Sequence, residues 1–233
     1  MYKASYPIIG GLMLLLLLLA GCSNPAPQQE AQQQENQDSA IIITADPVPS
    51  TEPEKAPPPQ TAATPTAKEI AAFVLPGYEI LGQQIGDLNA DGQEDVILIQ
   101  KKPDEAETSD VNEHPEKRPL LLLTRQPDGS LQLAARNDNV VLCVDCGGVF
   151  GDPYSGIVIK GNYFSIEHYG GSSWRWTRII TFRYNPDEKY WFLHKDGSES
   201  YHTSDPDKVE TTVKTVKDFG KVRFDAFDVY AEQ

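Results

Sequence analysis

The sequence predicts an all-β fold: a single compact antiparallel β domain, a sandwich or part of a propeller, with one short N-terminal helix. Apolar, β-branched runs recur from Asp95 onward, turns containing Gly, Pro, Asn or Asp separate them, and only the stretch after Thr66 has a helix signature. Eight to ten short strands punctuated by turns at intervals of about 8–12 residues is the pattern of a sandwich or a propeller-like fold.

Thr66-Ala67-Lys68-Glu69 has the Ser/Thr-x-x-Glu form of a capping box, Ile70, Ala71, Phe73 and Val74 follow it, and Pro76-Gly77 ends the helix. Asp95–Gln100 and Pro119–Thr124 are apolar runs. Pro127-Asp128-Gly129 turns the second of them into Ser130–Arg136. Gly156–Lys160 and Tyr163–Tyr169 flank Gly161-Asn162, a hairpin turn. Arg175–Tyr184 and Lys189–His194 lie on either side of Asn185-Pro186-Asp187, and a last hairpin is expected from Val209–Val216 and Val222–Val229 around Asp218-Phe219-Gly220. Residues 102–118, charged and Pro-containing, are expected to form a mobile surface loop. No internal repeat is sustained.

The N-terminus reads as an address. Lys3 precedes an apolar run from Ile8 to Leu19, too short to span a bilayer comfortably and suited to a signal peptide. Leu19-Ala20-Gly21-Cys22 resembles the bacterial lipobox. That resemblance implies cleavage after residues 1–21, acylation of Cys22, and attachment of the extracytoplasmic chain to a membrane. Ser23, where Asp would favour inner-membrane retention, points to the periplasmic face of the outer membrane if the host is Gram-negative. Residues 22–65 hold the lipidated Cys and a Pro/Gln-rich stretch that cannot bury enough apolar surface to offset its ordering entropy. A disordered tether is expected there, averaging roughly 35–40 Å end to end as a coil. Residues 66–233 are then the β-rich calcium-loop domain.

The formal charge of −14 becomes −15 once residues 1–21, which carry Lys3 and no acid, are removed. Such an excess repels nucleic acid and anionic lipid headgroups and favours cations or basic partners, so no nucleic-acid partner is expected.

Within the domain the most informative motif is Asp87-Leu88-Asn89-Ala90-Asp91-Gly92-Gln93-Glu94-Asp95. Oxygen-bearing side chains at positions 1, 3 and 5 can converge, Gly at 6 permits the sharp turn, and the Gln93 carbonyl extends the arc. An EF-hand would place a bidentate Glu at position 12, but that position is Leu98, so closure falls to Asp95. The expected metal is a structural Ca²⁺ on Asp87, Asn89, Asp91, Gln93 and Asp95, and the alternative is a polar Asx-type turn without metal. With Ile85-Gly86 before it and Val96-Ile97-Leu98-Ile99 after it, the motif resembles the calcium loops of FG-GAP/VCBS repeat and integrin-α-like proteins. The resemblance implies a loop that joins two strands around calcium. It occurs once, whereas propellers repeat it blade after blade. Gly147–Pro153 and Tyr169–Trp176 also resemble segments of uncharacterised VCBS-type bacterial lipoproteins, which implies a single compact domain and no particular activity.

Lipidation of Cys22 leaves Cys143 and Cys146. In an extracytoplasmic compartment an even remainder argues for a disulfide between them. The alternatives are a reduced pair, a redox site needing a helix N-terminus, and a metal site needing further Cys or His pairs. Period-2 alternation sends Trp174, Trp176, Arg178, Ile180, Phe182 and Tyr184 to one face of a strand, expected to be the core face. The competing expectation is an exposed ligand platform of Trp174, Arg175, Trp176 and His168. A hydrolase would pair His168 with Ser172 or Ser173, with Glu167 or Asp152 orienting it, but no Gly-x-Ser-x-Gly elbow is present. The sequence therefore points to a non-enzymatic binding module for an envelope protein or glycan, ahead of a structural or accessory envelope protein and of a hydrolase.

Overall fold

The computed structural model describes residues 64–231. The signal segment, Cys22 and residues 23–63 of the expected tether lie outside the described residues.

Thr66 caps helix α1 (Ala67–Ala71) through the expected box: its Oγ1 accepts from Glu69 N at 3.3 Å, and Glu69 Oε2 accepts from Thr66 N at 2.8 Å. A helix this short is not stable on its own hydrogen bonds, so packing holds it. Ile70 is buried, and Phe73 packs beside it on Val96, Leu98, Leu121 and Leu123. Among the described residues no helix is long and apolar enough to cross a membrane.

Strands β1 (Glu79–Gly86), β2 (Asp95–Lys101), β3 (Arg118–Arg125) and β4 (Leu131–Val141) form one antiparallel sheet in chain order. A second antiparallel sheet follows, β5 (Tyr154–Lys160), β6 (Tyr163–Gly171), β7 (Trp174–Asn185), β8 (Tyr190–His202) and β9 (Asp205–Thr215). The apolar runs become β2 and β3, which are buried on both faces. Val96, Leu98, Leu121 and Leu123 pack under α1, while Ile97, Ile99, Leu120 and Leu122 meet the second sheet. A strand covered on both sides needs no polar alternation, so its sequence reads as continuously apolar. Phe164, Ile166, Ile180, Phe182 and Leu193 supply the other half of the shared core, so the two sheets form one compact all-β domain.

Two expectations are corrected. Val222–Val229 is not a strand. β9 pairs with β8, helix α3 (Val216–Phe219) follows it, and Phe224–Ala226 is a 3-10 turn. This segment plugs the core instead. Phe224 is fully buried with its ring edge-on to Phe164 and Phe182, and Phe227 and Val229 are buried beside it. Asn137 Nδ2 donates to the Phe224 and Phe227 carbonyls, and Val229 N donates to Asn139 O at 2.8 Å. Nor is 102–118 a free surface loop. It contains helix α2 (Glu105–Thr108), whose Glu105 is buried against Arg118, and Asp145 accepts from Ser109 Oγ and Val111 N at 2.6 and 2.7 Å.

If the C-terminal plug closes the core, Phe224→Ala should lower the unfolding free energy by about 3–5 kcal/mol, the usual range for truncating a buried Phe. Urea unfolding is the measurement, with Val213→Ala, at a site 51% exposed, as the control expected to stay within about 0.5 kcal/mol of wild type. Equal stabilities of the two variants would show that the plug does not close the core.

Candidate functional sites

The loop between β1 and β2 folds on its own acceptors. Asp87 accepts from Asp91 N at 3.2 Å and from Gly92 N at 2.9 Å, Asn89 Oδ1 from Asp91 N at 3.0 Å, and Asp91 Oδ1 from Gln93 N at 2.8 Å. Ala90 and Gly92 adopt positive φ values of 61° and 84°, which tighten the turn. Leu88 points inward and is buried, and its carbonyl accepts from Trp191 Nε1 at 3.1 Å, so the loop is stitched to the core of the second sheet. Asp95 is fully buried, with Oδ2 accepting from Leu88 N at 3.0 Å and Oδ1 from Arg125 N at 2.8 Å. Burial holds its carboxyl up at about 6, with Asp91 and Asp87 adding to the rise and the two backbone donors opposing it.

These are hard oxygen donors in the 1-3-5 order that calcium takes, and each carboxylate oxygen keeps a further lone pair. Glu94 Oε2, next to Asp95, is buried with no hydrogen-bond partner among the described residues. The donor chemistry therefore fits a calcium ion. The side chains do not already converge: among the described residues no group of three or more His, Cys, Asp or Glu side chains is placed to hold a metal. Asp95 acts here as a clamp on two backbone N–H groups.

Cys143 and Cys146 are bonded, with Cα atoms 5.1 Å apart, in a turn closed by Cys146 N donating to Cys143 O at 3.1 Å. No helix begins at this pair. The following glycines let two backbones touch. Gly171 N donates to Gly147 O at 2.9 Å, and a Cβ on Gly170 would lie 2.6 Å from the Trp176 ring.

The residues proposed as a platform separate. Trp174 is 49% exposed, edge-on to His202 with ring centroids 5.4 Å apart, while Trp176 is half-buried. Arg175 is on the opposite face, its guanidinium 4.0 Å from the Phe150 ring centroid. His168 is not on the surface at all. It is 1% exposed, and Nε2 accepts from Leu142 N at 3.2 Å. Burial, then the positive charges of Arg178 and Arg118, push it down to about 4. It makes no hydrogen bond to Ser172 or Ser173, so the serine–histidine pairing considered for a hydrolase is not formed.

The same face of β7 serves two purposes. Ile180 and Phe182 are core, whereas Arg178, Trp176 and Trp174 continue beyond the cover of the first sheet. There Arg178 donates to both oxygens of Asp196, at 3.0 and 2.7 Å, and to Val229 O at 3.3 Å. A groove of about 310 Å³ lies between Arg178, Ser198, Thr212 and Lys214. Cross-strand register carries the strip on through Trp176 opposite Ser200 to Trp174 opposite His202. Lys214 and the buried Arg118 were not singled out from the sequence. No motif marks them, and only their register across β7, β8 and β9 or their burial reveals them.

Compared with known protein families, curated proteins and solved structures, the chain finds no match.

A histidine whose folded pKa lies below its unfolded value favours the neutral form in the fold. The stability His168 contributes is therefore intact above about pH 6.5 and is lost as the pH falls from there toward 4. His168→Gln should flatten this decline, removing up to about 3 kcal/mol of pH dependence. Urea midpoints at pH 7, 5.5 and 4.5 measure it, and a variant as acid-sensitive as wild type would place the titrating group elsewhere.

Proposed function

We propose that the chain is a membrane-anchored, extracytoplasmic lipoprotein whose β domain is a non-enzymatic binding module for an envelope protein or glycan. Cys22 carries the anchor, and the strip from Trp174 through Trp176 to the Arg178–Lys214 groove is the binding surface. One observation carries this reading: Trp174 is half-exposed on a strand face that is solid core a few residues further on. An indole left in water at the end of a hydroxyl- and charge-lined groove supplies an apolar anchor beside groups that fix orientation, the usual composition of a recognition surface. Serine, threonine, lysine and carboxylate side chains along the strip match the hydroxyls and amides of a glycan or an extended peptide.

Calcium is proposed as a folding cofactor, held by the side chains of Asp87, Asn89 and Asp91, the Gln93 carbonyl and Asp95. It would neutralise a loop in which the charges of Asp91 and Asp87 add to the rise of the Asp95 carboxyl. The loop's attachments to the core through Leu88 and Asp95 favour this supporting role over direct contact with the partner. If the chain were instead a mainly structural or accessory envelope protein, with calcium as a folding cofactor, Trp174 would be dispensable.

Trp174→Ala should leave the unfolding midpoint unchanged and weaken retention of the acyl-free mature chain on immobilised envelope extract or purified cell-wall glycan. Loss of a central aromatic anchor costs about 2 kcal/mol or more, near thirtyfold in affinity. Full retention by the variant would favour the structural reading.

Calcium at about 100 times its dissociation constant should raise the thermal midpoint of the same chain by roughly 5–10 °C over chelator. Asp91→Ala should abolish the shift. A wild-type midpoint indifferent to calcium would reduce the loop to a polar turn.

A further inference from the structure

In a chain with 34 acidic and 20 basic residues, a gathering of unpaired cations is an anomaly. One such gathering lies on the outer face of the second sheet, the side opposite the Trp174 strip. Cross-strand register sets it out in two adjacent rungs. The first is Lys160, Tyr163, Arg183 and Phe192, and the second is Val158, Ser165, Thr181 and Lys195. Neighbouring strands lie about 4.8 Å apart, so the cations of the two rungs border one patch. A bulge in β8 between them presents His194 to the same place.

Two depressions meet there, of about 510 and 420 Å³, and His194 lines both. Lys160 and Lys195 line the first, which has no Asp or Glu among its described lining residues; Arg183 lines the second together with Asp187 and with Lys221, which is paired with Glu188. Lys160, Arg183 and Lys195 are exposed, and none has an ion-pair partner among the described residues. Tyr163 stands edge-on to His194 at 4.9 Å and beneath Arg183 at 5.3 Å, which holds both rings against the patch. The nearest acid along this face of β6 is Glu167, one rung beyond Ser165. Mutual repulsion of three cations beside a histidine is a cost with no return inside the fold.

We propose that this outer-face patch is a binding site for a phosphate-bearing anion, held by Lys160, Arg183, Lys195 and His194. Lysine binds phosphate as a point charge and arginine through its planar fork, and a phosphate brings about 1.5 to 2 negative charges near neutral pH as the free ion or monoester. Exposed Val158 and the Tyr163 ring add an apolar margin of the kind that meets a headgroup layer. The phosphate comes either from an anionic lipid headgroup or from a soluble phosphate, and the two sources separate by experiment. The site is independent of the partner strip and stands or falls without it.

The test uses the acyl-free mature chain, the double variant Lys160→Gln/Lys195→Gln, and Lys68→Gln/Lys208→Gln as a charge-matched control elsewhere on the surface. One arm is flotation with phosphatidylcholine vesicles containing or lacking 30% phosphatidylglycerol, and the other is an NMR titration of the His194 ring with inorganic phosphate against chloride at equal ionic strength. The site predicts at least tenfold weaker binding by Lys160→Gln/Lys195→Gln than by wild type, with the control pair within about twofold. Dependence on phosphatidylglycerol assigns the headgroup, and a His194 response to phosphate alone assigns the soluble ion. Absence of both responses in the wild type, or equal losses in the two variants, overturns the proposal.

Discussion

Arg118 begins β3 with none of its side chain exposed, and a guanidinium in that position must be matched on every side. It is. Glu105 takes Nε and Nη2 at 3.0 and 2.6 Å, Asp152 takes Nη1 and Nη2 at 2.7 Å each, and the Leu142 carbonyl takes Nη1 at 3.0 Å. Burial works against the charge, yet Asp152 and Glu105 outweigh it and hold the group above its ordinary value. Those partners come from helix α2, from the turn that carries the disulfide, and from the segment leading into β5. One cation thus ties three connections to the start of β3. It also acts on His168, whose pKa is held down first by burial and then by the charges of Arg178 and Arg118.

The fold was legible where local chemistry and packing agree. The capping box at Thr66 and the turns at Pro127-Asp128-Gly129, Gly161-Asn162 and Asn185-Pro186-Asp187 all fall where expected, because each is specified within a few residues. The C-terminal hairpin failed for a readable reason. Alternation holds through Val222 and Phe224, then slips, since Phe227 and Val229 continue on the other parity. A strand would have sent those two sets to opposite faces, whereas a 3-10 turn lets Phe224 and Phe227 both reach the core. The charged 102–118 segment was misread because Glu105 looks solvated in sequence. Only the arrival of Arg118 from β3 makes its burial possible.

The sites divide along a similar line. Alternation placed Trp174 and Trp176 on the face of Ile180 and Phe182, and that is their parity; what no pattern could give is where the opposing sheet ends. Because coverage stops near Arg178, the same face is core at one end and open at the other. His168 shares the sheet face of Arg178, which it opposes across β6 and β7, but it is covered there and accepts from Leu142 N. His202, the ring that meets Trp174, comes from β8 and is distant in sequence from the aromatic stretch.

The β1–β2 loop shows how far a local motif can reach. Asp95 was read as the closing ligand of a calcium loop, and its carboxylate also grips the backbone N–H of Arg125. The Arg125 side chain, 4% exposed, donates to Glu69 Oε1 at 2.9 Å and to Gly129 O at 2.6 Å. Glu69 is the same residue that completes the capping box of α1, and Thr66 followed by Arg125 holds its carboxyl down at about 2. Loop, third strand and first helix therefore share a continuous set of hydrogen bonds. Each link is individually modest, since Glu69 is partly exposed and its ion pair is screened by water on that side. Their sequence matters more than their sum, because α1 has too few residues to persist without its contacts. A change in the charge state of the loop acts first on Asp95, then on the register of Arg125, and last on the helix through which the chain enters the domain.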